Sequence, residues 1–196
     1  MDTTFTMSRG LQGTPGRSVQ DEARLVAAAK GGDPQAFEVL VRRHKDRVLN
    51  LAYRIVGDAD EANDVTQETL ISAFQLLPSF RGRSAFATWL YRITVNAARQ
   101  HLRSRGRREV RWEKWGVIEA ASQVEQTEAG SQQGPLVGLL QELPEKHRVA
   151  MALFYLEELS LQEIAGVLRA PVGSVKVWLL RGREKLRCLA EERGVL

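Results

Sequence analysis

The chain has 196 residues, 43% of them hydrophobic and 27% charged, and a formal net charge of +4, which suits one domain or two small ones with a packed core. Cys188 is the only cysteine, so no internal disulfide is possible, and His44, His101 and His147 are too scattered to build a zinc site with it. There is no apolar run near the length of a membrane span and no signal-peptide pattern, so the expectation is a cytoplasmic protein with no membrane insertion.

Residues 1–20 are rich in Thr, Gly, Ser and Gln without periodicity and read as a disordered tail. A short helix is predicted over 21–30, stopped by Gly31-Gly32. Asp33 before Pro34 is a helix start: a capping carboxylate, then a proline whose missing N–H costs nothing there. The helix that follows carries Phe37, Leu40, Val41, Val48, Leu51, Ala52 and Ile55 at helical spacing, and Gly57 ends it. A further helix from about Asp60 to Leu76 is expected to bury Val65, Leu70, Ile71 and Phe74 and to turn its acids outward, with Pro78 as its stop. After the loop SFRGRS, Ser84 is placed as the cap of a long helix that ends at Gly106. Residues 107–135 lose periodicity and read as a linker. A second domain is predicted over 136–196. In it Pro144-Glu145 opens a helix, Ser160 and Glu163 form a capping box, and a short helix, a turn at 169–172 and a longer basic helix follow. Short helix, tight turn and basic helix make a helix-turn-helix pattern. No strand pattern is present. The expected fold is all-α, in two small helical domains joined by a flexible linker, the first over 21–106.

Charge is unevenly placed. Residues 55–80 hold five acids and no Lys or Arg, residues 81–114 ten cations and two acids, and residues 169–187 six cations and one acid. Two basic blocks separated by acidic ones point to an anionic polymer held at two places, with another partner on the acidic face. Each block alone could be a solvated helix face.

At 100° per residue, Val172, Val175, Leu179, Gly182 and Leu186 form one core face on the last helix. Ser174, Val177, Leu180, Arg181, Glu184 and Arg187 then point away, with Lys176 and Arg183 along one edge. An outward face with Val177 and Leu180 among arginines suits a major groove, where apolar groups meet thymine methyls and guanidinium groups meet phosphates or guanine edges. The alternative is a protein-docking patch. In the first basic block, Phe80, Phe86, Trp89 and Tyr91 alternate with Arg81, Arg83, Arg92, Arg99 and Arg103, the mixture that grips single-stranded DNA. Trp89 and Phe86 lie in line with core positions, so the loop Phe80–Ser84 is the better gripping element, with Gly82 allowing close backbone approach. Asn96 offers donor and acceptor to a base edge, or else caps a buried contact.

Three stretches in order, DADEANDVTQETLISAF, SFRGRSAFATWLYRITVNAARQHLRSRGRR and LPEKHRVAMALFYLEELSLQEIAGVLRAPVGSVKVWLLRGREKLR, resemble the extracytoplasmic-function (group 4) sigma factors of bacterial RNA polymerase over residues 35–186. The resemblance implies an alternative sigma factor without catalysis or cofactors of its own. Its partners would be core RNA polymerase, at the clamp coiled coil and the flap, promoter DNA, and an anti-sigma factor. It implies that Asp60, Glu61, Asp64, Gln67 and Glu68 face the polymerase. Phe80, Arg81, Gly82, Arg83, Ser84, Arg92, Asn96, Arg99 and Arg103 would melt and read the minus-ten element, where extruding a base costs a few kcal/mol. Arg169, Ser174, Lys176, Val177, Leu180, Arg181 and Arg183 would read the minus-thirty-five element. The acidic linker would thread toward the polymerase's active-site and RNA-exit channels. Two departures stand out: Gln100 where the family commonly has Asp, and Val177-Trp178 where many members have Ser and Arg.

Two rival classes fit less well. A one-component helix-turn-helix regulator leaves the acidic helix and the first basic block unexplained. An enzyme would need a phosphate loop, a metal-spaced cluster or a nucleophile–base pair, and the sequence offers none of these, nor a small-molecule substrate site.

Overall fold

The computed structural model describes residues 15–114 and 136–194, with side chains placed for residues 20–106 and 138–194. All regular structure among them is helical: α1 (Pro15–Lys30), α2 (Pro34–Val56), α3 (Ala59–Leu76), a 3-10 turn at Leu77–Ser79, α4 (Phe86–Lys114), α5 (Leu136–Gln141), α6 (Glu145–Tyr155), α7 (Leu161–Leu168) and α8 (Val172–Glu192). The expected tail over 1–14 and linker over 115–135 lie outside the described residues.

The caps explain most boundaries. The Asp33 carboxylate accepts from the Gln35 and Ala36 N–H groups at the start of α2, and Gly57 at φ 85° closes it in the left-handed region. The Asp58 carboxylate accepts from the Glu61 N–H at the start of α3. Ser160 and Glu163 form the full capping box on α7. Three boundaries differ from expectation. Helix α1 begins at Pro15 rather than near Asp21, because a helix anchored by Val26 and Leu25 against the core extends cheaply residue by residue, and proline is tolerated in its first turn. The Ser84 cap gives way to a start at Phe86, with the Trp89 N–H bonded to the Ala85 carbonyl. Gly106 does not end α4, which runs on to Lys114. An interior glycine costs only about 1 kcal/mol relative to alanine, too little to stop a helix already nucleated and followed by good helix formers.

In the first domain α2 packs on α1, α3 and α4. Leu40, Val48, Leu51, Ile55, Val65, Leu90 and Val95 are buried in it. The face of α3 keeps the expected Val65 but not Ile71 and Phe74. Its buried line is Ala62, Val65, Thr66, Thr69 and Ala73, while Ile71 and Phe74 are 59% and 58% exposed. The Thr66 and Thr69 hydroxyls donate to the Ala62 and Val65 carbonyls, both at 2.7 Å. Their polar atoms are thereby satisfied inside the core, and small side chains let the helices approach. In the second domain Val149, Leu153, Ile164, Val175 and Leu179 join α6, α7 and α8. Buried Gly182 belongs to the α8 core face because a Cβ there would stand 3.0 Å from Met151 Cγ, so α8 lies close on α6.

The two domains also pack on each other, α2 against α5 and α6, and α4 against α7, and their cores merge. Arg148 on α6 donates to the Gln141 carbonyl at 3.2 Å and to its side-chain oxygen, and Gln141 Nε2 donates to the Arg54 carbonyl at 2.9 Å.

Candidate functional site

The loop after α3 is held at its root. Phe80 is 7% exposed, its ring 5.0 Å from Trp89 and 6.0 Å from Phe86, centroid to centroid, and its N–H bonds to the Leu77 carbonyl. Within the loop Phe80–Ser84, expected to grip DNA, its side chain therefore sits on the inside and anchors the loop. Arg81, Gly82 and Arg83 are exposed and Ser84 is half-buried. Gly82 sits at φ 66°, a left-handed conformation that only glycine adopts without strain.

Along α4, Asn96, Gln100 and Arg103 fall within about 60° of one another at helical spacing, and all three are exposed. The Asn96 amide is thus open to a ligand rather than occupied with capping a buried contact. Trp89, half-buried, lies in the same line and joins this stripe to the loop. Arg92 and Arg99 sit on the flank and turn toward the second domain. Arg99 Nε is 2.7 Å from Glu145 of α6, and a Cβ on Gly166 of α7 would be 3.6 Å from Arg92 Nη2. Thr88 Oγ1 donates to Glu163 at 3.2 Å. The buried Tyr91 hydroxyl donates to Glu157, and burial of both groups pushes both pKa values up. The expected DNA face of α4 thus divides into an open stripe and a flank turned to the second domain.

The turn between α7 and α8 is closed by Arg169 at φ 51°, unusual for a residue with a Cβ. Ser174 is half-buried. Lys176, Val177, Leu180, Arg181 and Arg183 are exposed on α8, Val177 by 43% and Leu180 by 53%. Trp178 is half-buried with Lys146 Nζ 5.9 Å from its ring centroid. A cleft of about 430 Å³ brings Arg99, Arg103, Lys146, Arg169, Ser174 and Trp178 together, so cations from both basic blocks line one hollow.

On α3, Asp60, Asp64, Gln67 and Glu68 are exposed. Glu61 is partly buried, with its carboxylate 3.1 Å from Arg105 and 3.5 Å from His101, and so ties α3 to α4. The exposed Ile71 and Phe74 extend the Asp60–Asp64–Gln67 face. Sequence reasoning placed both in the core, because their apolar character outweighs threonine in a helical pattern.

The family descriptions "Sigma-70 region 2" and "Sigma-70, region 4" match residues 40–108 and 134–186, the helices that carry these two basic faces. The RNA polymerase sigma-H factor of Pseudomonas aeruginosa is 39% identical over 178 residues, 85% of this chain and 92% of that one. The ECF RNA polymerase sigma-E factor of Escherichia coli K12 is 38% identical over 173 residues, 83% and 90% of the two chains. The chain is an extracytoplasmic-function sigma factor of the sigma-70 family. It is an alternative sigma factor directing transcription initiation, not an enzyme. Among solved structures, CnrH in complex with the cytosolic domain of CnrY is 25% identical, with a TM-score of 0.67 over 88% of this chain and 98% of that one. RpoE of Bartonella quintana, solved with the anti-sigma factor NepR, is 24% identical at a TM-score of 0.66, covering 79% and 96%, and shares the sigma-factor fold. Among the described residues no helix is long and apolar enough to cross a membrane.

Proposed function

We propose a division of labour for this sigma factor in the cytoplasm. Helix α3 docks on the clamp coiled coil of core RNA polymerase through Asp60, Asp64, Gln67 and Glu68, with Ile71 and Phe74 completing the face and Glu61 bracing it. The flap is received by the second domain at the apolar hollow of about 270 Å³ lined by Leu140, Met151, Ala152, Tyr155, Leu156 and Leu186. The loop Arg81–Ser84, rooted by Phe80, captures a nontemplate base of the minus-ten element, and Asn96 and Arg103 extend the track along α4. The outward face of α8, with Arg169, Ser174, Lys176, Val177, Leu180, Arg181 and Arg183, reads the minus-thirty-five duplex. Arg92 and Arg99 join the minus-ten contact once the domains part.

The observation that carries this reading is the pairing of an aromatic-rooted basic loop with an exposed polar stripe on one domain and an exposed basic-apolar helix face on the other. An anti-sigma factor is the expected regulator, and Val177, Trp178 and Leu180 are a surface it would cover. The related CnrH is itself solved bound to a partner protein's cytosolic domain.

The test is reconstituted transcription from genomic templates with and without the chain, followed by mapping of start sites. Initiation at a defined promoter set only when the chain is present is expected. Arg181→Ala should lower output about tenfold at promoters with an intact upstream element. Tight duplex binding by the free chain with no effect on polymerase would overturn the reading, and unchanged Arg181→Ala output would remove α8 as the reader.

A further inference from the structure

The last side chain of α1 reaches the neighbouring root of the loop expected to capture the base. Lys30 Nζ donates to the Phe80 carbonyl at 2.6 Å, fifty residues away in sequence. Phe80 is then held at every polar atom and at its ring: N–H on Leu77, ring among Phe86 and Trp89, carbonyl on Lys30. The carbonyl oxygen lies in the plane of the Phe80–Arg81 peptide. Pinning it sets the direction in which the chain leaves toward Arg81, Gly82 and Arg83. Phe86, 5% exposed, fixes the far side. Only the five residues 81–85 remain between two anchored aromatics. Helix α1 is itself seated by Val26 in the same cluster and by Glu22 Oε2, 3.1 Å from His44 Nε2. A C-terminal lysine would complement the helix dipole without crossing to another element; this one completes a buried residue's hydrogen bonding instead.

We infer that Lys30 is a positioning residue for recognition of the minus-ten element, acting through the Phe80–Arg81 peptide. The inference rests on the reading of the loop as the base-capturing element. It predicts loss of discrimination rather than loss of folding or of polymerase binding.

The experiment uses holoenzyme assembled from core RNA polymerase and the full chain. Its probes are two labelled single-stranded oligonucleotides: the nontemplate strand of the strongest mapped promoter, and the same strand with its minus-ten bases scrambled. The readout is the ratio of the two affinities, which a fraction of misfolded protein does not move. Lys30→Met should lower that ratio about three- to tenfold, and Lys30→Arg, which keeps a charged donor, should restore most of it. A Lys30→Met ratio equal to wild type, or Lys30→Arg no better than Lys30→Met, overturns the inference. The double variant Arg81→Ala, Arg83→Ala separates the two levels. If it collapses the ratio while Lys30→Met does not, only the role of Lys30 fails. If it too leaves the ratio intact, the loop is not the capturing element and both readings fall.

Discussion

His44 is buried in the first domain, 5.3 Å from the Phe86 ring centroid, with Nε2 on Glu22 and Nδ1 without a partner. A bare lone pair at Nδ1 is tolerable in apolar surroundings, whereas a proton there would be an unsatisfied donor on a buried cation. Burial accordingly holds its pKa below the ordinary imidazole value. Glu22 pulls the other way, and Arg47 and Arg43 reinforce the depression. The unfolded chain therefore takes up this proton first as pH falls. The contribution to stability is complete above the ordinary value near 6.5 and is lost as pH drops through it toward the lowered one. Thermal unfolding between pH 8 and 5 should show wild type losing stability relative to His44→Gln across that window. Parallel curves would mean that the ring takes up its proton alike in the folded and unfolded chain, and a wild type that gains stability as pH falls would mean that the folded ring is already charged. Gly57 works at the same scale. At φ 85°, with a Cβ placed there 2.7 Å from Gln141 Cδ, it permits both the end of α2 and the seat of the side chain that links α5 to α2.

At the scale of the element, α3 carries an acidic first half and an apolar second half on a single exposed face. In the proposed docking the acids would steer a basic partner and the apolar end would supply buried area once contact is made. Asp64→Lys should weaken binding to core polymerase about tenfold, and more at low salt, because it reverses one charge in the middle of the face. Phe74→Ser should weaken it with little salt dependence. Titration of labelled core polymerase at two ionic strengths checks both, and an unchanged affinity for Asp64→Lys would argue against α3 as the docking element. Phe74 also meets Phe37 edge-on at 5.1 Å, so its circular dichroism melt belongs in the same experiment.

At the scale of the whole molecule, the two domains meet through Tyr91–Glu157, Thr88–Glu163, Arg99–Glu145 and Arg148–Gln141–Arg54. Among these groups Glu157 is the carboxyl that burial shifts upward. Burial raises its carboxyl pKa, against the hydroxyl of Tyr91 and the charges of Arg47 and Arg54. Separation of the domains returns it to water and to its ordinary value. The proton it then releases favours the separated state as pH rises from the ordinary carboxylate range through the raised value. Energy transfer between dyes on Cys188 and on a cysteine placed by Asp46→Cys, both exposed, should report domains that part more readily as pH is raised. Glu157→Gln should flatten that dependence, and an identical pH profile in the variant would remove Glu157 as its source.

Much of this was legible along the chain. The caps at Asp33, Gly57 and Ser160, the two basic blocks and the core face of α8 are local patterns, and local patterns survive into the fold because they are satisfied within a turn or two of the residue that sets them. The order of the three motifs was enough to identify a sigma factor with two helical domains. Other features depended on neighbours distant in sequence. Thr66 and Thr69 displaced Ile71 and Phe74 from the core because the spacing between helices, not hydrophobicity alone, selects the buried face. Arg92 and Arg99 turned to the second domain, and Tyr91 became buried, because α4 is covered on two sides, a contact with no period of its own in the sequence. Lys30 met Phe80 because α1 ends beside the 3-10 turn. A helical pattern states which face is apolar; which polar groups meet across fifty or seventy residues is decided only when the helices pack.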